Sequence, residues 1–353
     1  MPVRTLSAAE ALTQLADFDA VIDARSEDEY ALDHLPEAVN WPTLNNQERS
    51  EVGTLYRQQP FEAKKLGAVI AARNIAAHIE REAMDKPREW RPLVYCWRGG
   101  QRSGALATIL GAVGFPVTRI GGGYKAWRAA LVDDIPRVVS RLSYRVVCGP
   151  TGSGKTRLLQ ALAAEGAQVL DLEAIACHRS SVLGHIPGQP QPSQKRFDSL
   201  IWWQLRQFDP ARPVFMESES KKVGNLRIPD ALVDAMRASP CVDLQLPDAE
   251  RVALLLEDYE FFVHDREHFC ERLRALTELR GHAIVNGWIA QVHAGQISEV
   301  VQALLSQHYD PGYATSIRRN FTQYGQATPL PLPDRSADSL GAAARRLLAS
   351  GVQ

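Results

Sequence analysis

YRVVCGPTGSGKT occupies residues 144–156, and the architecture follows from how it is read. Tyr144–Cys148 is a short apolar, β-rich run, Lys155–Ala164 carries helical periodicity, and Gly149-Pro150-Thr151-Gly152-Ser153-Gly154-Lys155-Thr156 between them completes G-x4-G-K-T. A strand that turns through glycines into a helix is half of a parallel-sheet crossover. Downstream, the spacing predicts a strand at Gln168–Leu170, a loop or lid at Ser180–Ser193 rich in Gly, Pro, Gln and Ser, a helix near Gln194–Gln207, a strand at Pro213–Glu217 and helices to about Leu305. Upstream, strands are expected at Ala20–Asp23, Pro92–Cys96 and Val117–Ile120, with helices near Ala63–Glu82, Arg102–Val113 and Tyr124–Leu131. The N-terminal stretch up to Asp19 reads as a short amphipathic helix, and the last fifteen residues as another helix. Both halves are therefore α/β.

The chain has 353 residues, 45% hydrophobic and 23% charged, enough for two cored domains. Its formal net charge is −1, from 40 basic and 41 acidic side chains, and neither half is a basic arm. A polyanionic partner must then be met by a local patch. No window approaches 18 uninterrupted apolar residues, and the first residues lack a signal-peptide core, so the expectation is a cytoplasmic protein with no membrane partner. Five widely spaced cysteines without a CxxC pair argue against a disulfide framework and a zinc site, leaving thiol chemistry.

Cys96 is the cysteine with chemistry around it. PLVYCWRGGQRSGALATIL, residues 92–110, sets it at the end of an apolar strand and just before a helix. Loop N–H groups at Gly99, Gly100 and Gln101, the helix N-terminus, and the guanidinium groups of Arg98 and Arg102 all favour a thiolate there, or an anion beside it.

The surroundings resemble a rhodanese domain, the sulfurtransferase module with a persulfide-carrying loop cysteine. Val21-Ile22-Asp23-Ala24-Arg25 with Glu29-Tyr30, then His34-Leu35-Pro36 with Ala38-Val39-Asn40, and finally Gly122-Gly123-Tyr124-Lys125-Ala126-Trp127 carry that resemblance. Asp23 and Arg25 are expected as a structural ion pair. The loop departs from the usual six residues, because Cys96 to Arg102 spans seven and fits the Cys-x5-Arg pattern of phosphatases. Tyr95 stands where phosphatases generally have His and no leaving-group acid is evident, so transfer outweighs hydrolysis.

At the phosphate loop, successive N–H groups form a nest for phosphate oxygens, Lys155 reaches over them and Thr156 can hold Mg²⁺. A further metal contact is expected from Glu217 or Glu219 after the strand Pro213–Glu217. No guanine-specificity motif accompanies the loop, so a diphosphate of any kind suits it.

Weaker signals remain. His264-Asp265-Arg266-Glu267-His268 spells H-x-x-E-H, with both histidines on one helical face, and reads as an exposed polar helix. Cys148 reads as a buried strand residue, with a partner thiol for Cys96 as the alternative. Two stretches suit nucleic acid: Glu173 to Asp209, where Arg179, Lys195, Arg196 and Arg206 face a single acid, Asp198, beside Trp202 and Trp203; and His308 to Phe321, where Arg318 and Arg319 follow Tyr309 and Tyr313.

Nearly the whole chain resembles the tRNA 2-selenouridine synthases. Cys96-Trp97-Arg98-Gly99-Gly100-Gln101-Arg102-Ser103, the phosphate loop, Glu217-Ser218-Glu219-Ser220-Lys221-Lys222-Val223-Gly224 and Tyr309-Asp310-Pro311 carry it. The resemblance implies a rhodanese-like domain over residues 1–133, a linker at 134–143, a P-loop NTPase-like α/β domain over 144–310 and a helical C-terminal extension over 311–353. It implies a transferase without a prosthetic group that replaces sulfur of wobble 2-thiouridine in tRNA by selenium. It further implies selenophosphate as the donor and S-geranylation with geranyl diphosphate ahead of the exchange. Selenium carried on Cys96 and selenium activated beside it both satisfy the sequence. The apolar Trp202, Trp203 and Phe208 are candidates to shelter the prenyl chain. A different class competes: an NTP-binding regulator or kinase whose first domain only recognises a partner.

Overall fold

The computed structural model describes residues 3–179, 184, 186 and 188–349. It divides into two compact units. One comprises Met1–Ile135 with Pro192–Trp203, the other Pro136–Gln191 with Gln204–Gln353.

The first unit is built on a parallel sheet of β1 (Arg4–Leu6), β2 (Ala20–Asp23), β3 (Val39–Asn40), β4 (Pro92–Tyr95) and β5 (Thr118–Ile120), in the order β1-β5-β4-β2-β3. All four residues of β4 are buried, as expected for a central strand covered on both faces. The core gathers Ile22, Val94, Ile75, Leu106, Leu110 and Phe115. The stretch expected as one N-terminal helix begins instead with β1, and the helix Ala8–Gln14 follows, closed by a Ser7/Glu10 capping box. Three residues with one buried side chain are too short to show a period, and β1 exists because β5 pairs with it. Asp23 and Arg25 form the expected ion pair, 2.6 Å apart and buried, with the guanidinium 4.0 Å from the Tyr124 ring centroid. Removing one partner from such a pair costs about 3–5 kcal/mol, because the other charge stays buried.

The helix expected at Tyr124–Leu131 runs from Gly123 to Ser140 and so takes up most of the expected linker. Pro136 masks its continuation in the sequence, while Ile135, Val138 and Val139 continue the buried spacing.

The second unit holds a parallel sheet of β6 (Tyr144–Cys148), β7 (Gln168–Leu170), β8 (Val214–Glu217), β11 (Cys241–Gln245) and β12 (Thr328–Pro331), ordered β12-β11-β6-β8-β7. A short hairpin of β9 (Lys222–Val223) and β10 (Leu226–Arg227) stands apart. Both hairpin strands and two strands of the sheet depart from expectation. β11 lies in a region expected to be wholly helical, and β12 makes the C-terminal extension more than helical. Thr-Pro-Leu-Pro hides β12 in sequence, since proline lacks the ladder donor; an edge position tolerates it. The helix Ala337–Ala349 packs Leu340, Ala344 and Leu347 with Leu158 and Leu162 of the helix Lys155–Ala164. Residues 350–353, within the expected terminal helix, lie outside the described residues, as do 180–183, 185 and 187 of the expected lid. A separate helical core joins Phe262, Phe269, Leu273, Trp288, Val300 and Leu304. Among the described residues no helix is long and apolar enough to cross a membrane.

Candidate functional site

In the first unit, β4 delivers Cys96 to a tight turn that ends in the helix Gln101–Val113. Cys96 is buried, and Ser103 Oγ, in the first turn of that helix, donates to its Sγ at 3.1 Å. A second turn closes over the first. Tyr124 N–H donates to the Cys96 carbonyl at 2.8 Å and Lys125 N–H to that of Trp97 at 3.0 Å. Gly123, at φ 61°, allows this approach, because a Cβ there would stand 2.3 Å from both Cys96 O and Gly99 N. The closing motif of the sequence thus supports the cysteine loop.

The two arginines of this loop do different things. Arg102 donates to Glu29 at 2.6 Å, and Arg49 approaches the same carboxylate at 3.1 Å. Burial alone would raise the Glu29 carboxyl, but the Arg102 hydrogen bond and the charges of Arg102 and Arg49 hold it below the usual range. Arg98 is exposed, like Gly100 and Gln101. The structure therefore brings Cys96, Ser103 and the loop amides together, and leaves Arg98 as the cation presented to solvent. Glu29 and Ser103 were legible only as members of quoted motifs, with no role attached.

In the second unit, β6 leads through Gly149–Gly154 into the helix Lys155–Ala164. Lys155 Nζ donates to the carbonyls of Gly149 at 2.9 Å and Pro150 at 3.3 Å, so the ammonium lies over the loop. Gly149 N–H donates to Tyr313 Oη at 2.6 Å. Ser153 is buried, and its hydroxyl has no partner among the described residues. Arg251 braces the loop from outside. Its Nη2 donates to Thr151 O at 2.8 Å and to Asp310 at 2.6 Å, which gives the Tyr309-Asp310-Pro311 motif a task. No sequence pattern marked Arg251, because its partners lie 100 and 59 residues away.

Thr156 Oγ1 donates to Glu217 Oε1 at 2.7 Å and lies 3.4 Å from Glu173 Oε2. Oxygens of Glu173, Glu217 and Glu219 all fall within 4.8 Å of one another. Burial first, then the neighbouring Glu173, pushes the Glu217 carboxyl well above its usual range, with Lys155 opposing. Hard oxygen donors packed this closely around the threonine of a phosphate loop fit a divalent cation such as Mg²⁺. Both Glu217 and Glu219 belong to this group, and Glu173 is the member that sequence reading missed.

The loop and carboxylates open into a cavity of about 890 Å³. Arg179, Lys221, Lys222, Arg237 and Arg280 line it, together with Tyr259, Tyr309 and Tyr313. Arg237 Nε is buried there without a hydrogen-bond partner among the described residues. Arg318 and Arg319 are exposed at the end of the helix Asp310–Asn320.

Other expectations resolve differently. Trp202 is buried in the first unit, edge-on to Trp127 at 5.9 Å, with Nε1 donating to Asp134 at 2.9 Å. It serves that core, while the phosphate loop belongs to the second unit. His264 ends one helix and His268 lies in the next, because Asp265 caps the helix Arg266–Arg274. The single face required by H-x-x-E-H does not form. Cys148 is buried in β6, and a hydrogen bond with Cys241 followed by burial pushes its thiol far up, so it is a strand residue of the second sheet.

Each of the two units is similar to a known protein family. The profile of the tRNA 2-selenouridine synthase AAA domain matches residues 142–283, and that of the rhodanese-like domain matches residues 7–130. A tRNA 2-selenouridine synthase of Sulfurovum sp. (strain NBC37-1) is 30% identical over 349 residues, covering 88% of this chain and 94% of the relative. The chain belongs to this family. Synthases of Nitrosomonas europaea and Nitrosomonas eutropha are 37% and 36% identical, over 68% and 70% of this chain. Those two matches span 63% and 65% of the relatives' own length. The family's two-part order, a rhodanese-like domain and then a P-loop domain, is the order of the two sheets described above.

Proposed function

We propose that this chain replaces the sulfur of wobble 2-thiouridine in tRNA by selenium from selenophosphate, by way of an S-geranylated intermediate. One observation carries the reading: a single cationic cavity of about 890 Å³ holds the phosphate loop and the carboxylate group, room for a diphosphate and a nucleoside together. In the first step the thiouridine sulfur attacks C1 of geranyl diphosphate. The S–C bond forms, the C1–O bond breaks, diphosphate leaves with the electron pair, and the N3 proton passes to solvent. Lys155 and the amides of Gly149, Thr151, Gly152, Ser153 and Gly154 stabilise the charge that grows on the leaving group. Glu217, Glu173, Glu219 and Thr156 would hold a divalent cation, which neutralises diphosphate charge when bound.

S-alkylation turns a poor leaving group into a good one. Selenium, freed from selenophosphate as its P–Se bond is hydrolysed to phosphate, adds to C2, and geranyl thiolate departs. Cys96 engages the selenium donor, with Arg98 and the N–H groups of Gly99, Gly100 and Gln101 for its phosphate oxygens, while Arg102 holds the loop through Glu29. The competing reading, an NTP-driven regulator, draws on the same Thr156–Glu217 contact. The test is mass spectrometry of tRNA nucleosides after incubation with enzyme, selenophosphate and geranyl diphosphate. The expected products are S-geranyl-2-thiouridine and then 2-selenouridine without added ATP. Absence of both, or an absolute need for ATP, overturns the reading.

A further inference from the structure

Trp97 follows Cys96 directly, and its ring is half-buried. The Tyr124 ring stacks on it, 5.4 Å between centroids and 27° from parallel. Tyr124 is itself fixed at three points. Its N–H donates to Cys96 O at 2.8 Å, its hydroxyl donates to the buried Asp33 at 2.8 Å, and the guanidinium of buried Arg25 lies 4.0 Å from its ring centroid. The carbonyl of Trp97 accepts from Lys125 N–H at 3.0 Å, so the backbone beneath the indole is tied down as well. The indole therefore ends a stack that runs from Arg25 through Tyr124 to the surface and stops beside Cys96.

Lys195 Nζ lies over the Trp97 ring, 5.7 Å from its centroid. Lys195 belongs to the helix Gln194–Gln207, where its carbonyl accepts from Arg128 Nη1 at 3.2 Å and Arg128 also pairs with Asp198. Its backbone is thus held while its ammonium stays exposed. Arg98, next in sequence to Trp97, and Lys125, tied to it through the backbone, are exposed too. A rigid aromatic face among solvated cations is how proteins hold single-stranded RNA: the cations follow the backbone and the ring stacks a base. An aliphatic ligand would gain nothing from the three cations, and a free phosphate nothing from the ring.

We propose that Trp97 is the stacking platform for the tRNA base that receives selenium, and that Lys195 moves off the ring to the phosphate beside that base. The inference rests on the selenium-transfer reading given above. Selenium comes from a donor engaged at Cys96, so the pyrimidine must lie against the cysteine turn. Of the two aromatic neighbours of Cys96 in the chain, Tyr95 is fully buried and Trp97 alone offers a face. Bases of RNA loops are splayed out and stacked on aromatic side chains in this way. Stacking engages one face of the pyrimidine and leaves the opposite face open to attack at C2. A cation–π contact at an exposed site is weak, so a base displaces Lys195 at little cost.

The test uses the full chain, selenophosphate and an anticodon stem–loop RNA carrying S-geranyl-2-thiouridine, with the same RNA lacking the wobble base as a competitor. Conversion is read by nucleoside mass spectrometry. Trp97→Phe keeps an aromatic face and should leave KM for the RNA within about threefold of wild type. Trp97→Leu keeps apolar bulk without that face and should raise KM at least about fivefold, more than it changes kcat. The inhibition constant of the abasic competitor should stay within about twofold in all three proteins, which also reports that each is folded. Lys195→Ala should weaken both RNAs alike and lower the log–log salt slope by about 0.7, for one single-strand phosphate contact. If leucine serves as well as phenylalanine, or if Trp97→Leu weakens the abasic competitor as much as the complete RNA, the platform is overturned while selenium transfer stands. An unchanged salt slope in Lys195→Ala overturns the part given to the lysine. A wild-type enzyme that leaves the S-geranylated RNA unconverted overturns both the platform and the transfer reading.

Discussion

The turn from Cys96 to Arg102 and the turn from Gly149 to Lys155 join a buried parallel strand to a helix in the same way, yet each offers an anion a different reception. Both present loop amides and a helix N-terminus. In the first, the strand ends on a thiol that accepts from Ser103, and the cation nearest the helix is spent on Glu29. In the second the loop carries no thiol, the ammonium of Lys155 lies over the loop itself, and a cluster of three carboxylates stands alongside. On the proposed function, one backbone solution to anion binding would serve two chemistries, with the side chains at its edges deciding between engagement of the selenium donor and stabilisation of a leaving group.

The sharpest way to break that contrast is to remove the defining group of each loop. Cys96→Ser should abolish 2-selenouridine formation and spare geranylation, because a serine hydroxyl is not ionised at neutral pH and cannot stand in for the sulfur that engages the selenium donor. Lys155→Ala should do the reverse: geranyl transfer falls by about 10²–10³-fold, the usual cost of one charge-stabilising donor, while supplied geranylated tRNA is still converted. Nucleoside mass spectrometry on both substrates decides the matter, and equal failure of either variant on the two steps dissolves the division of labour.

A smaller effect is expected from the brace behind the phosphate loop. Arg251→Ala frees the Thr151 carbonyl and leaves Asp310 unpaired. Loss of charged hydrogen bonds of this kind costs about 1.5–3 kcal/mol. The denaturation midpoint and geranyl transfer should both fall, and Arg251→Lys should recover little, since a lysine cannot fork to both partners. Unchanged transfer in a destabilised variant would make Arg251 a purely structural residue.

The opposite loop should respond to acid. Glu29 has its carboxyl held low in the fold, so its contribution is fully present above the unfolded value, about pH 4.3, and is lost as pH falls through the lower folded value. Chemical denaturation between pH 6 and 3 should therefore show a slope that Glu29→Gln reduces; an identical slope would detach Arg102 from the stability of the cysteine loop. The mildest change concerns tRNA. Replacing Arg318 and Arg319 by Ala should lower the salt dependence of binding by about one to two in the log–log slope, as about 0.7–0.9 is lost per phosphate contact. An unchanged slope would move the tRNA surface toward Arg179 and the other arginines of the cavity.

Much of this was legible because it is local. The strand-glycine-helix pattern of both loops, the Asp23–Arg25 pair and the central strands β2, β4, β6 and β8 follow from short-range spacing and apolar runs. What escaped shares a cause. β1 is too short for any period to register, β12 carries prolines that a strand interior would reject, and β11 sits among helices. Each is held in place by its partner strand, and such pairing has no local signature. The same holds for H-x-x-E-H, where the motif survives as text but Asp265 caps a new helix and separates the two histidines.

By itself, the sequence determined two α/β units, the order in which they come, a cysteine at a strand-to-helix turn at Cys96 and a glycine-rich strand-to-helix loop from Gly149 to Thr156, because each is encoded within a dozen consecutive residues. Only the tertiary structure decided which neighbours those groups have. Arg102 meets Glu29 across 73 residues, Arg251 meets Asp310 across 59, and Thr156 meets Glu217 across 61. The physical reason is that backbone conformation is set by nearby residues, whereas the partner of a buried charge or an apolar wall is whatever the packed chain brings within hydrogen-bonding or van der Waals reach.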